Sequence, residues 1–261
     1  MNKKRKSSSS KSKRNYDQQN YWNNRYTAKL KGKYVNEDDD DDHTDEWYFS
    51  YSDISDVLKS HLKTCHRQSP VLDIGCGLSN IFDDLSDDSF NGPFVGVDYS
   101  PIAINQCKKI KKNTNYHYLI LDMMQKSKPS LPYQSFGLVI DKATTDGILC
   151  NSSNLSNITN IYEHVSNLLS SNGIFILITI KTVDDRAWFE DCLIPSLIRG
   201  SEYQHTKFII HFHRCVTYTD GSENGPNVFV IVKYVCKSYP LRSSTKRMKH
   251  DVSQIVTVKC Y

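Results

Sequence analysis

The sequence predicts an α/β protein in which helices cover both faces of a doubly wound, seven-stranded sheet. Short apolar strands alternate with helical segments between residues 71 and 180, and a glycine-containing turn follows the first of these strands. Two later strand-like runs are separated by a turn-rich segment. Buried strands joined by helices imply right-handed parallel crossovers, whereas a short turn joins antiparallel strands. The sheet is therefore expected to be mostly parallel, with an antiparallel strand at its C-terminal end.

The individual elements follow from local patterns along the chain. The predicted strands are 71–74, 94–97, 116–121, 137–140, 174–180, 207–216 and 228–236, and the predicted helices are 79–85, 101–111, 157–169 and 187–197. Pro101 suits a first helical turn and Ser100 suits the N-cap before it. The last two strands are expected to close the sheet edge as an antiparallel pair. Residues 237–261 form an unassigned extension in which 255–258 is a candidate strand.

Length and charge limit the class of protein. The 261 residues suit one domain, expected at 16–236, with extensions. Residues 1–14 carry seven basic and no acidic residues, so the remainder holds 26 basic and 29 acidic residues. A nearly neutral body argues against a nucleic-acid-binding face, which needs clustered Lys and Arg. The sequence thus predicts no nucleic-acid partner.

Two segments have strongly biased composition. Residues 1–15 are basic and serine-rich and are expected to be a disordered tail, in which residues 3–6 are either a nuclear import signal or simply solubilising. Residues 37–46 include eight acidic residues, whose mutual repulsion predicts an exposed loop.

Cysteine usage and hydropathy predict a cytoplasmic protein, with the nucleus as a second location. Eight scattered cysteines without a C-x-x-C spacing indicate neither a disulfide framework nor a zinc knuckle. The longest apolar run, 173–180, is too short to span a bilayer. His211, His213 and Cys215 alternate on a predicted strand, but a partly buried strand face explains them better than a metal site, and no metal is predicted.

A ligand site is predicted where successive strands end, because open α/β sheets bind ligands at that edge. Gly75 and Gly77 follow the first strand and permit a tight turn with close backbone approach. Asp98 ends the next strand, where a carboxylate can accept hydrogen bonds from both ribose hydroxyls of a nucleoside. Asp122 and Met123 follow the third strand, where they are expected to bracket an adenine.

The charge of this site selects between two classes of nucleoside ligand. A dinucleotide fingerprint would continue to a third glycine, but Asn80 occupies that position. Asp73, directly before the glycines, would oppose a phosphate and favour an amino group. S-adenosyl-L-methionine has an amino group, a positive sulfonium and no phosphate. The residues therefore predict this methyl donor and a Rossmann-like domain that binds it.

Several motifs together resemble a known family. They are Tyr21-Trp22-x-x-Arg25-Tyr26, Glu46-Trp47-Tyr48, Asp73-Ile74-Gly75-Cys76-Gly77, Val97-Asp98-Tyr99-Ser100, Leu121-Asp122-Met123 and Asp141-Lys142-Ala143-Thr144-Thr145-Asp146. In this combination the chain, over roughly residues 16–149, resembles the seven-strand lysine methyltransferases. It is most similar to the group acting on translation elongation factor 1-alpha, with a citrate synthase methyltransferase as a sister.

The resemblance implies roles for matching positions. Trp22, Tyr26 and Trp47 would close over the donor, and Tyr99 and Lys142 would line its pocket together with the strand-end residues above. Members usually have glycine where this chain has Ala143, leucine at Thr145 and alanine at Gly147, which leaves donor binding intact. The implied activity is methylation of a protein lysine, with elongation factor 1-alpha as the candidate substrate.

The residues also bear on mechanism and on alternatives. The aromatic rings of Trp22, Tyr26 and Trp47 would attract both a sulfonium and a lysine side chain.

Asp141 and Asp146 would orient the target lysine or guide its proton away, or else Asp141 ends a strand and Asp146 caps a helix. A small-molecule methyltransferase and a non-catalytic scaffold that binds S-adenosylmethionine remain open alternatives.

Overall fold

A computed structural model describes residues 15–32, 47–150, 154–201, 206–214, 225–235 and 256–261. The predicted basic tail up to residue 14, the acidic loop at 37–46, Cys215 and most of the C-terminal extension lie outside these residues. The predictions made for them stay predictions.

The described strands form one mixed sheet. They are β1 (Val71–Ile74), β2 (Phe94–Asp98), β3 (Tyr116–Ile120), β4 (Phe136–Lys142), β5 (Leu169–Thr179), β6 (Thr206–Arg214), β7 (Asn227–Val235) and β8 (Val256–Cys260). Their spatial order is β3-β2-β1-β4-β5-β7-β6-β8. β1 to β5 are mutually parallel, and β7 runs antiparallel to both β5 and β6. The α/β class, the parallel core and the antiparallel addition are confirmed.

The prediction of seven strands, with the β6–β7 pair closing the edge, is wrong in one respect. An eighth strand, β8, pairs in parallel with the outer side of β6 and takes the edge position. It overlaps the candidate strand at 255–258. The alternation of apolar residues there is short, so the pattern alone could not show that the segment reaches back to β6.

Helices cover both faces of the sheet. They are α1 (Gln19–Leu30), α2 (Tyr51–Leu62), α3 (Ile81–Asp87), α4 (Pro101–Ile110), α5 (Thr144–Leu149), α6 (Leu155–Leu168), α7 (Arg186–Trp188) and α8 (Ile194–Gly200), with a π-helical turn (Phe189–Leu193) between the last two. α2, α3 and α4 pack on one face, and α6 and the segment from α7 to α8 pack on the other. Among the described residues, no helix is both long and apolar enough to cross a membrane.

Local sequence explains how the helices begin and which side they bury. Ser100 accepts a hydrogen bond from Ala103 N and Pro101 occupies the first turn of α4, as predicted. Ser50 and Asp53 form a capping box at the start of α2. α2 then buries Tyr51, Ile54, Leu58 and Leu62, which share one helical face.

The reversal of strand order lies between β1 and β4. From β1 the chain builds outward through β2 to β3, and from β4 it builds in the other direction. Ligands bind at such a switch point, outside the carboxyl ends of the strands. In the register of the sheet, Ile74 is level with Val97 on one side and with Asp141 on the other. Gly75, Asp98 and Asp141 therefore meet at this crevice.

Candidate active site

The glycine turn after β1 is shaped for close approach. Gly75 and Gly77 have φ values of +64° and +49°, in the left-handed region that glycine adopts without strain. A Cβ on Gly75 would overlap the side chain of Thr144, and one on Gly77 would lie 2.6 Å from Tyr26 Oη. Thr144 Oγ1 also donates to Ile74 O at 2.8 Å, which joins the start of α5 to the end of β1. The predicted need for glycine at both positions thus has a steric reason.

Asp98 holds this turn in place from the neighbouring strand. Its Oδ2 accepts from Gly77 N at 3.0 Å, and its Oδ1 accepts from Ser100 N at 2.7 Å. Only 6% of the residue is exposed, and burial raises the pKa of this carboxyl to about 6 against the opposing effect of the two backbone donors. Asp98 therefore shapes the pocket as well as presenting negative charge to it.

Three buried carboxyl groups meet at the switch point. Burial, followed by repulsion from Asp141 and Asp98, raises the pKa of Asp73 well above its usual range. Asp141 Oδ1 accepts from Thr144 N at 3.0 Å, while Asp141 Oδ2 is buried and has no hydrogen-bond partner among the described residues. Burial raises the pKa of Asp141 to about 7, with repulsion from Asp146 as the next cause. We call Asp73, Gly75, Gly77, Asp98 and Asp141 the floor of the site.

One lysine stands at the rim of this acidic pocket. Lys142 ends β4 directly after Asp141, and burial lowers the pKa of its ammonium to about 8. A half-buried lysine next in sequence to the acidic floor provides for a ligand that carries both positive charge and a carboxylate.

The residues after β2 and β3 lie at the carboxyl ends of their strands, beside the floor. Tyr99 O accepts from Gln19 Nε2 of α1, and burial raises the pKa of the Tyr99 phenol. Asp122 accepts from Met124 N at 2.9 Å and from Gln125 Nε2 at 2.7 Å, and its charge acts on Tyr99. Met123 is 5% exposed and packs into the core. These residues therefore lie at the same carboxyl end of the sheet as the floor. The carboxylate of Asp122 is hydrogen-bonded within its own turn.

The aromatic residues before β1 form a separate cluster above the floor. The ring centroid of Trp22 lies 6.0 Å from that of Tyr26 and 5.6 Å from that of Trp47. The ring centroids of Tyr16 and Trp47 are 5.7 Å apart. We call the rings of Tyr16, Trp22, Tyr26 and Trp47 the aromatic cap. Tyr26 reaches Gly77, and a Cβ on Gly147 of α5 would lie 3.7 Å from Trp22 Cζ2. The three aromatic residues predicted from the sequence are thus brought together over the glycine turn.

Polar contacts from α1 add to the attachment of the cap. Ser100 Oγ donates to Asn23 Oδ1 at 2.6 Å, and Trp22 Nε1 donates to Tyr16 O at 2.6 Å. Arg25 lies over the Trp47 ring at 5.7 Å from its centroid. Sequence reasoning missed Tyr16 and Asn23, since a lone polar or aromatic residue outside a motif gives no signal of its own. It also gave no role to Thr144, although Thr144 lies within the motif from Asp141 to Asp146.

Asp141 and Asp146 have different surroundings. Asp141 caps α5 through the backbone N–H groups of Thr144 and Thr145, so the capping role expected for Asp146 belongs to Asp141. Asp146 uses both of its oxygens, accepting from Thr179 Oγ1 at 2.6 Å, Ile180 N at 2.9 Å and Tyr48 Oη at 2.9 Å. Of the two, only Asp141 retains an oxygen without a partner.

The histidines of β6 lie away from this site. His213 Nε2 is 2.9 Å from His61 Nε2 of α2, and the His211 ring lies 4.5 Å from the His61 ring. The two strand histidines do share one face, and that face is covered by α2. In the part of the chain that the structure describes, no group of three or more His, Cys, Asp or Glu residues is arranged to hold a metal ion.

Comparison with known proteins agrees with the fold and identifies a family. A family model described as a methyltransferase domain matches residues 66–223. The chain is 29% identical over 139 residues to the eEF1A lysine and N-terminal methyltransferase of Mus musculus. The aligned residues cover 52% of this chain and 19% of that protein. It is 23% identical over 176 residues to the protein-lysine N-methyltransferase EFM4 of Saccharomyces cerevisiae, which covers 63% and 75% of the two chains.

Another relative is also named as a lysine methyltransferase, and one solved structure has a similar fold. The human mitochondrial citrate synthase-lysine N-methyltransferase CSKMT is 28% identical over 121 residues, 40% of this chain and 50% of that one. A crystal structure of a putative S-adenosylmethionine dependent methyltransferase from Listeria monocytogenes superposes with a TM-score of 0.50 at 14% identity, covering 71% of this chain and all of the other. The chain spans about a fifth of the length of the first curated relatives that it matches.

Proposed function

Because the chain belongs to the methyltransferase domain family, we propose that it transfers a methyl group from S-adenosyl-L-methionine to the side chain of a lysine in a protein. Its relatives include proteins named as lysine methyltransferases, and elongation factor 1-alpha (eEF1A) appears in the names of four of them. We propose that factor as the first candidate substrate. We further propose a cytoplasmic location, with the nucleus as a second site.

The observation that carries the donor assignment is the charge of the floor. Asp73, Asp98 and Asp141 are buried together, and a carboxylate in such surroundings is stabilised by a bound cation. S-adenosylmethionine supplies a sulfonium and an ammonium to Asp73 and Asp141 and ribose hydroxyls to Asp98, and its carboxylate complements Lys142. The unpartnered Oδ2 of Asp141 is a buried acceptor that fits such a ligand.

The aromatic cap supports an amine as the acceptor of the methyl group. Only a neutral amine has the lone pair for the reaction, and removing a proton from lysine at neutral pH costs about 4–5 kcal/mol. An apolar, ring-lined approach beside a cation disfavours the ammonium form and offsets part of this cost. In the transfer itself, the amine nitrogen forms the new bond to the methyl carbon, the carbon–sulfur bond breaks, and the sulfur keeps the electron pair.

The test is incubation of the purified protein with methyl-labelled S-adenosylmethionine and purified elongation factor 1-alpha, and in parallel with cell extract. We expect label in protein, recovered as methyl-lysine after hydrolysis. Asp98→Ala should abolish it, whereas Asp87→Ala, which changes an exposed aspartate of α3, should not. Label in a protein of the extract other than the factor would identify a different protein substrate. Label only in RNA or small molecules would reject the lysine assignment.

A further inference from the structure

The aromatic cap is joined to the body of the domain through side-chain contacts from two separate segments. α1 has no fully buried residue, and its Tyr26 ring is half-buried where it packs against the apolar core. Its side chains of Gln19 and Asn23 make polar contacts with the residues after β2. The second half of the cap, at Trp47, is connected to the body through the next residue, Tyr48.

Tyr48 makes a long-range hydrogen bond at this point. Its phenol donates to Asp146 Oδ2 at 2.9 Å, across 98 residues of sequence. The backbone of Tyr48 has a φ of +68°, a left-handed conformation that has an energetic cost for a non-glycine residue. Tertiary contacts must offset such a cost, and this bond is one that does so.

Asp146 is fixed in advance as the acceptor. Thr179 Oγ1 donates to its Oδ1, and Ile180 N donates to the same Oδ2 that Tyr48 uses. Both donors come from the end of β5, and only 6% of Asp146 is exposed. The carboxylate of Asp146, on α5, is therefore held at the carboxyl end of β5, and its Oδ2 faces Tyr48.

We propose that the Tyr48–Asp146 hydrogen bond is a latch that holds the aromatic cap over the donor pocket. Asp146 is then a positioning residue, which acts on the donor through Tyr48 and the neighbouring Trp47 and does not contact the target lysine. The latch rests on the donor pocket of the proposed function, but not on the identity of the methyl acceptor.

The main test compares two tyrosine substitutions that each remove one phenol-to-carboxylate bond. Tyr48→Phe removes the latch. Tyr51→Phe removes the bond from Tyr51 Oη to Asp88, at the start of α2 and outside the cap, and serves as the matched control. Two readouts apply: the Kd of S-adenosylmethionine by calorimetry, and acrylamide quenching of tryptophan fluorescence. Two of the three tryptophans, Trp22 and Trp47, lie in the cap, whereas Trp188 is 2% exposed in the core.

We expect Tyr48→Phe to raise the donor Kd about 3- to 10-fold, as for loss of one hydrogen bond, and to increase quenching before donor is added. Tyr51→Phe should leave both readouts within about twofold of the unmodified protein, the scatter allowed for a residue remote from the ligand. Unchanged Kd and quenching in Tyr48→Phe, or equal changes in both variants, would overturn the latch. If the unmodified protein binds no donor, the proposed function fails, and the quenching comparison still decides the latch.

A second variant separates positioning from contact with the lysine. Asp146→Asn keeps the shape of the side chain and removes its charge, which weakens the bond from Tyr48. We expect the KM for the donor to rise several-fold while kcat changes by less than about twofold, because uniform binding is lost. A loss confined to kcat would place Asp146 at the reacting amine and contradict the latch.

Discussion

The floor and the aromatic cap line the same pocket, but they are built in different ways. The floor consists of short-range turns whose carboxylates are bound by backbone N–H groups, such as Gly77 N and Ser100 N on Asp98. The cap consists of rings drawn from separate segments and attached through side-chain contacts, including Tyr48 to Asp146. Backbone donors are fixed by the sheet, whereas side-chain contacts carry a larger entropic cost of ordering. The floor should therefore determine whether the donor binds, and the cap how long it stays.

The largest expected effect is on the floor, from Asp98→Ala. This change leaves the buried N–H groups of Gly77 and Ser100 without their acceptor, at about 1–3 kcal/mol each, and removes a negative charge from the pocket. We expect the donor affinity to fall at least about 100-fold, with a lower melting temperature. Calorimetry and thermal unfolding measure both.

A matched substitution sharpens this prediction. Asp122→Ala also removes a strand-end aspartate, but one that is partly exposed and bonded to Gln125 and Met124. Its effect on affinity should be about tenfold or less, as for a single hydrogen bond. Equal losses from the two variants would show that burial within the floor does not set the strength of binding.

A smaller effect is expected from pH. The pKa values of Asp98 and Asp141 are raised to about 6 and about 7, so these carboxyls take up protons as the pH falls through that range. Donor affinity should therefore rise from about pH 5.5 to about pH 8, by up to about tenfold per pH unit for each proton released on binding. Without donor, stability should fall over the same interval, because the folded state binds more protons than the unfolded state.

Calorimetry at several pH values, with S-adenosylhomocysteine as the comparison, tests the pH effect. This product lacks the sulfonium charge, so its affinity should depend less steeply on pH. Identical slopes for the two ligands would show that the buried acids do not respond to the charge on sulfur.

The smallest expected effect comes from Ala143→Gly, at the junction of β4 and α5. Ala143 has a φ of +67°, and it occupies a position where the lysine methyltransferases that the chain resembles usually have glycine. Glycine should relieve about 1 kcal/mol of backbone strain and raise the melting temperature by about 2–4 °C. The reverse exchange, Gly75→Ala at φ +64°, should lower it. A lower melting temperature for Ala143→Gly would mean that the methyl group packs well enough to outweigh the strain.

The difference between floor and cap also explains what the sequence could predict. The floor lies in contiguous motifs at strand ends, so Asp73, Gly75, Gly77 and Asp98 could be placed from strand periodicity and turn chemistry alone. The cap was accessible only through resemblance, because α1 has no buried face and so no amphipathic pattern. The assignments of individual residues to the donor and to the lysine stay predictions.

Other features depended on contacts that no local pattern reveals. α2 was not predicted, although its capping box at Ser50 and Asp53 and the spacing of Ile54, Leu58 and Leu62 were signals for it. Asp146 was considered for the target lysine or for a helix cap. Its true partners, Tyr48 and Thr179, lie 98 and 33 residues away, and only the folded chain brings them together.

The eighth strand has a consequence for the order in which the chain can fold. β6 pairs with β7 on one side and with β8 on the other, and β8 is separated from it by more than 40 residues. Until 256–260 have been synthesised, the outer side of β6 offers unpaired N–H and C=O groups to any extended peptide nearby. Pairing of β8 with β6 is therefore a late, non-local step, and until it occurs this side of β6 is open to aggregation.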